Sequence, residues 1–388
     1  MLFRLRLHGE ACLALYRPAR RYMVNAAVRV GLIGTSGWAA GFHLPVLQSH
    51  DAAVVAAVCG RDRQRAAALA DQHGVEQVYT DYQTMFDEAE LDAVSVVTPE
   101  DLHHPMVMAA LRAGLHVLCE KPMAFSAAQS AEMLAAAECA GVKHMVQFTN
   151  RGLPHYRYVK SLLDDGYVGQ PYYGYFYWPT GWGPSEEVDN YHWASDARRA
   201  RGAVNELGAH MIDVARWYMG DVVRVSASLR TFVQRADIDG GVMDNANDSA
   251  CLLLDFASGA HAVLHVGMPN IVGPGLAHTG QTVIISGHDG SLEARCDPWT
   301  DVAVSEIVGL RRRAEQAETL AIPDDYFGGT PRGNAFDVFR RQSIGPRLFI
   351  DAIVGDLDIS PNFADGHQVQ RIIEAAVRSG LSGTAQDL

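Results

Sequence analysis

A doubly wound parallel α/β domain followed by an α+β domain on an open, largely antiparallel sheet is the fold that this chain of 388 residues predicts. Three observations predict it. From Val28 onward, short apolar runs alternate with amphipathic stretches, the pattern of strand–helix–strand units. After Asn150 the alternation gives way to an aromatic segment punctuated by Gly and Pro. Beyond residue 221, strand-like runs follow one another through tight turns. A hydrophobic content of 48% supplies core enough for two such domains, drawn as a loose tail at 1–27, a first domain at 28–150 and a second at 151–388.

The first strand is VRVGLIG (28–34), a continuous apolar run suited to a sheet buried on both faces. A Gly-rich turn and a helix through HLPVLQSH lead to the second strand, AVVAAVCG (53–60). RDRQRAAALADQHG is then a helix closed by Gly74, which suits a left-handed cap. EQVY is a short strand, YQTMFDEA a turn or two of helix, LDAVSVVT (91–98) a strand, HHPMVMAALRAG a helix and LHVLCEKP (115–122) the fifth strand. Ser126 is placed to cap the helix SAAQSAEMLAAAECAG, and VKHMVQF (142–148) is the sixth strand. In the second domain, ARGAVNELGAHMIDVARWYMGD is a helix of several turns. VRVSASLRTFV, ACLLLDFASGAHAVLHVGM and TVIISGHDGSLEARC are antiparallel strands turning at Ser258-Gly259 and Asp289-Gly290, and two further helices close the chain.

With 32 Lys+Arg against 45 Asp+Glu the formal charge is −13, which repels a phosphate backbone or an anionic leaflet. Nucleic acid and membrane are therefore set aside as partners. The six cysteines lie far apart with no C-x-x-C pair, so reduced thiols are expected and no thiolate metal site. No apolar run approaches the roughly 20 residues of a membrane helix. Arg20-Arg21 loosely matches a twin-arginine export signal, but the segment after it runs straight into the first strand. Residues 1–27 read as a tail, Met23 as an alternative start, and the location as cytoplasmic.

Three constellations carry chemistry. At the first strand–helix junction, Gly34, Thr35, Ser36 and Gly37 form a turn of small residues able to present N–H groups to a pyrophosphate, as in the Rossmann arrangement. Where an NAD enzyme usually carries an acid for the ribose hydroxyl, the second strand ends on Gly60-Arg61, and a guanidinium there leans the choice toward NADP. Glu120-Lys121-Pro122 stands at the carboxyl end of the fifth strand, the edge at which such sheets bind ligands. Only three of the 32 basic residues are lysines, Lys121, Lys143 and Lys160, so Lys121 is no generic surface charge. Its amine suits proton donation to, or charge stabilisation at, a carbonyl oxygen. Glu206, His210 and Asp213, spaced four and three apart, share one helical face, with the imidazole suited to take a hydroxyl proton.

These residues resemble the Gfo/Idh/MocA family, which includes glucose-fructose oxidoreductase and inositol dehydrogenase. The resemblance covers roughly 28–385 and rests on CEKPMA for the E-K-P motif, VTPEDLHHP for T-P-x-x-x-H, RARGAVNELGAHMIDVARW for the G-G-x-x-x-D-x-G-x-H-x-x-D helix and GHDGSLEA for G-T-x-G-S-L-E. It implies Lys121 and His210 as a catalytic pair, His210 as general base. Thr98, Pro99, His103 and Glu120 would line the nicotinamide half of the cofactor, and Arg61 its adenosine end. Asn150 and Arg151 would contact substrate or nicotinamide. Two residues depart from the pattern: Glu206 stands for the usual Asp, and Ser36 for the second glycine.

The reading is an NAD(P)-dependent oxidoreductase, with a lean to NADP, that passes hydride between nicotinamide and a sugar, inositol or related polyol. Lys121 and His210 are expected to converge beside the nicotinamide, with Glu206 beside them and Trp193 and Asp213 on the substrate. Tyr175, Tyr177, Trp178, Trp182, Tyr191 and Trp193 offer faces for a sugar ring, although aromatics in such segments usually pack a core or a subunit interface. No metal is expected, and a homodimer or homotetramer is. A non-catalytic dinucleotide-binding regulator and an NAD-dependent glycosidase-like hydrolase stay open as rivals.

Overall fold

The computed structural model describes residues 27–181, 191–270, 280–296, 305–332, 334 and 336–388, so the tail up to residue 26 and Trp182 lie outside the described residues. Contacts group the chain into two units. The first holds six parallel strands, β1 (Val28–Ile33), β2 (Ala53–Cys59), β3 (Gln77–Tyr79), β4 (Ala93–Val96), β5 (His116–Glu120) and β6 (His144–Gln147), in the order β3-β2-β1-β4-β5-β6. This is the doubly wound order that the alternation predicts. The central strand β4 is buried at all four residues because helices cover both faces of the sheet, so its sequence shows no alternation.

Helix ends fall where local chemistry puts them. The Asp62 carboxylate accepts the Gln64 and Arg65 amides to open Arg63–His73, and Gly74 closes it at φ 67°. Ser126 accepts the Gln129 amide to open Ala127–Ala140, as expected. One departure lies just after the Gly-rich turn, where Ala39–His43 is a π-helical turn leading into α-helical Leu44–Gln48.

The expected domain boundary at 150–151 needs correction at its far end. Phe339–His367 belongs with the first unit, not the second. The helix Pro346–Gly355 puts Phe349, Ile350 and Ile353 into the same core as Val28, Leu47 and Leu118. Burial of one such side chain contributes about 1.5–3 kcal/mol. That gain assigns the segment to the first unit irrespective of its late place in the chain.

The second unit comprises Phe148–Val338 and Gln368–Leu388. Its nine strands, β7 (Pro171–Pro179), β8 (Val222–Arg230), β9 (Ser249–Phe256), β10 (His261–Gly267), β11 (Gln281–Gly287), β12 (Gly290–Cys296), β13 (Ser305–Arg311), β14 (Glu318–Thr319) and β15 (Gln386–Asp387), run in the order β14-β13-β12-β11-β7-β10-β9-β8-β15. Every pairing is antiparallel except β7 with β10. The strands β13 to β15 were not expected from the sequence. One face of the sheet carries Phe176, Trp178, Leu252 and Leu264, all buried, and the helix Gly208–Met219 packs against β7 and β10. The other face lines up Ile284, Tyr175, Val263 and Leu253 in register across β11, β7, β10 and β9, with Val263 and Leu253 exposed.

Candidate active site

The Gly-rich turn leaves β1 at Gly34, whose φ of 123° is left-handed, and a Cβ there would lie 2.0 Å from the Val97 carbonyl oxygen. Only glycine fits that approach of β1 to the end of β4. Space is open above Gly37, where a Cβ would meet nothing within 4 Å. Ser36, the departure from the glycine pattern, has its hydroxyl folded back to accept the Ala39 amide at 3.2 Å. The turn thus fits a pyrophosphate, with Gly34, Thr35, Ser36 and Gly37 the residues to hold it.

Beside it, Asp62 is occupied as a helix cap at 2.9 and 3.1 Å, whereas Arg61, Arg63 and Arg65 are exposed. Arg65 donates to the Thr35 carbonyl at 3.1 Å, tying the helix to the turn.

Lys121 follows β5, and its peptide bond to Pro122 is cis. Glu120, expected to line the nicotinamide, is buried at 6% exposure. Its Oε1 accepts from Trp38 Nε1 at 2.8 Å and from His43 Nε2 at 2.7 Å, and its Oε2 accepts the Lys121 amide at 3.0 Å. Burial by itself raises this carboxyl's pKa, but the hydrogen bond and charge of His43, with Lys121 and Trp38 adding to them, carry it below its ordinary value. His103 is likewise buried, with Nδ1 2.9 Å from the Pro122 carbonyl and Nε2 2.8 Å from that of Thr98. Burial holds its pKa down. A neutral imidazole has one N–H, so the ring donates to one of these carbonyls and lies beside the other, between two backbone segments. Thr98 turns its hydroxyl to the Met106 sulfur at 3.7 Å, and Pro99 opens the short 3₁₀ turn Glu100–Leu102.

In the second unit, the predicted long helix is broken at Leu207 into Ala203–Glu206 and Gly208–Met219. Asn247 anchors the start of the first piece: its carbonyl accepts the Ala203 amide at 2.7 Å and its side chain accepts the Val204 amide at 3.1 Å. His210 sits one turn into the second piece, 7% exposed, with Trp178 and Phe148 at ring-centroid distances of 5.8 and 6.4 Å. Glu206 acts on His192, whose pKa burial lowers and the Glu206 charge pulls back up.

Arg151 and Asp213, both expected on the substrate, are bound to each other. Arg151 Nε donates to Oδ2 at 2.7 Å and Nη2 to Oδ1 at 2.6 Å, with Asp213 fully buried and Trp217 5.5 Å from the guanidinium. Next to Arg151, Asn150 is buried with an amide nitrogen that has no acceptor among the described residues, a donor suited to a ligand oxygen. Trp193 stands on the 3₁₀ turn Trp193–Ser195 against His192.

The alternation of β7 divides the expected aromatic cluster: Trp178 faces His210, while Tyr175 and Tyr177 stack on each other on the opposite, open face. Sequence reasoning missed Trp38, His43, Ser95 and Phe148. The two ring donors to Glu120 are five residues apart, a spacing that no α-helical pattern singles out.

Among the described residues no group of His, Cys, Asp or Glu is placed to hold a metal, and no helix is long and apolar enough to cross a membrane. Cys59, Cys119, Cys251 and Cys296 are outside any disulfide, as expected, whereas Cys139 is disulfide-bonded, against expectation.

Residues 28–148 match the model of the oxidoreductase family with the NAD-binding Rossmann fold, and residues 156–293 match that of the GFO/IDH/MocA C-terminal domain. The chain is 32% identical to D-apiose dehydrogenase of Paraburkholderia graminis over 57% of its own length and 56% of that enzyme's. It is 26% identical to levoglucosan dehydrogenase of Pseudarthrobacter phenanthrenivorans over 83% of its length and 86% of that protein's. A solved levoglucosan dehydrogenase in complex with NADH and levoglucosan superposes with a TM-score of 0.82 over 93% of this chain and 99% of that one, at 24% identity, a likeness of fold.

Proposed function

The chain belongs to the Gfo/Idh/MocA oxidoreductase family, and from that premise we propose that it is an NAD(P)-dependent dehydrogenase/reductase acting on a hydroxyl of a sugar, inositol or related polyol. The observation that carries the reading is Glu120-Lys121-Pro122 at the carboxyl end of β5 in a sheet of order β3-β2-β1-β4-β5-β6. Nicotinamide dinucleotide, when bound, supplies the hydride acceptor or donor. The Gly34–Gly37 turn would hold its phosphates, and Arg61 its adenosine end.

In the oxidative direction the substrate carbon loses hydride, its hydroxyl proton passes to the His210 imidazole, and the C–O bond becomes a carbonyl. The Lys121 ammonium orients that oxygen and stabilises the charge developing on it. Reduction returns the proton by the same route. The rings of Trp178 and Phe148 limit how far the His210 imidazole can turn, and the Asn150 amide donates to a substrate hydroxyl.

Apiose and levoglucosan, in the names of two relatives, set the substrate class to screen. Arg61, Arg63 and Arg65 support a preference for NADP, because the neighbouring acid, Asp62, is held as a cap. The exposed apolar row on the open sheet face supports association of copies into a dimer or tetramer, which light scattering measures. A cytoplasmic location goes with an enzyme that draws on the cell's dinucleotide pool.

The deciding experiment follows absorbance of reduced nicotinamide over a panel of sugars and inositols. Wild-type protein should turn over at least one, and Lys121→Met should abolish turnover while cofactor affinity, measured by fluorescence, stays within about threefold. Undiminished activity in that variant would reject the role given to Lys121. Glycan release without net cofactor reduction would favour a hydrolase, and binding without any turnover a regulator.

A further inference from the structure

Glu120 is held from three directions within the first unit. Its Oε1 takes the Trp38 and His43 donors, and its Oε2 takes the amide of Lys121. Behind His43, the Nδ1 atom lies 2.9 Å from the Ser95 hydroxyl, and both residues are wholly buried. A carboxylate at that depth persists only when its lone pairs are satisfied.

The π-helical turn is what makes the arrangement possible. Trp38 and His43 are five residues apart, which on an α-helix would set them roughly 140° apart around the axis. Here the Leu44 amide bonds back to the Ala39 carbonyl, five residues earlier. The wider turn brings positions five apart close to one face, so that two donors reach a single oxygen. On the other side of Lys121, the carbonyl of Pro122 meets buried His103.

We propose that His43 is a positioning residue for Lys121: anchored on Ser95, it fixes the Glu120 carboxylate, whose second oxygen fixes the Lys121 backbone, so that the amine leaves the strand in one direction. The inference rests on Lys121 as the group that meets the substrate oxygen. His43 itself touches no reacting atom.

The scarcity of lysine makes this testable without reference to activity. Full-length protein labelled with ¹⁵N-lysine gives three backbone amide signals, from Lys121, Lys143 and Lys160, and Lys121→Arg identifies the first by its loss. In the wild type the Lys121 amide should resonate downfield and exchange slowly with solvent. His43→Leu should move it upfield and speed its exchange about tenfold, the loss expected when its charged acceptor is released.

The same variant should lower kcat about 100-fold, the effect of displacing a reacting group by about 1 Å, with KM for cofactor within about threefold. His43→Gln, able to donate to Glu120 and accept from Ser95, should restore both signal and kcat. Should His43→Leu not fold, Trp38→Phe removes one donor and should move the amide in the same direction. An unmoved Lys121 amide in His43→Leu, or in Trp38→Phe where that variant must stand in for it, overturns the proposal. Retained turnover in Lys121→Met overturns the catalytic assignment instead, and the amide signal still reports whether His43 governs that backbone.

Discussion

Two buried polar contacts engage residues that the sequence offers as ligand contacts. Arg151 and Asp213 form a two-bond ion pair, and an ion pair so deep is costly to break from one side because the other charge is left without compensation. Asp213→Ala should therefore destabilise the protein by about 3–5 kcal/mol in urea unfolding, and adding Arg151→Leu should recover part of that loss. Additive losses in the double variant would show that the pair is not coupled. Because Asp213 lies one turn beyond His210 on the helix Gly208–Met219, kcat should fall along with stability. His103 is the second case: its buried ring lies between the Thr98 and Pro122 carbonyls and donates to one of them. Both residue types were visible as candidates in the sequence, but partner choice depends on what folding brings within 3 Å, and spacing along the chain does not encode it.

At the scale of the element, caps and turns were largely legible because their causes are local. Ser126, Gly74 and the Ser258-Gly259 and Asp289-Gly290 turns act through their own backbone or the next turn of chain. Asp62 is a local cap whose consequence is wider, since an acid engaged with two amides is not offered to a ribose. Asp62→Ala should cost about 1 kcal/mol of stability and leave cofactor affinity nearly unchanged. Arg61→Ala should weaken NADP about tenfold or more and NAD hardly at all. Fluorescence titration of the two variants with both dinucleotides checks the pair, and equal losses for NAD and NADP in Arg61→Ala would remove the case for a 2′-phosphate site. The π-turn and the break at Leu207 were not legible. One departs from the α-helical period, and the short helix before the other is anchored at its start by Asn247, some forty positions downstream.

At the scale of the whole molecule, burial of histidines sets the response to acid. His116 and His144 are pushed down to about 4, and His155 to about 3, in each case chiefly by burial. Their unfolded value is about 6.5, so between pH 6.5 and 4 the unfolded chain binds protons that the folded one does not. Stability should be insensitive to these groups above pH 7 and fall as pH drops through that window, by up to about 1.4 kcal/mol per pH unit for each histidine. Melting curves from pH 8 to 4 test this, and a midpoint that holds steady to pH 4 would contradict it. The sequence alone determined the six-strand alternation, the Gly-rich turn and the residue types at the strand ends, because apolar period and turn chemistry act over a few residues. Tertiary structure alone decided that Phe339–His367 returns to the first unit and which face of β7 meets His210. It also decided that Glu120 turns inward onto Trp38 and His43. Those outcomes follow from apolar burial and from satisfying buried charge, which depend on groups far apart in the chain and are settled only when the core closes.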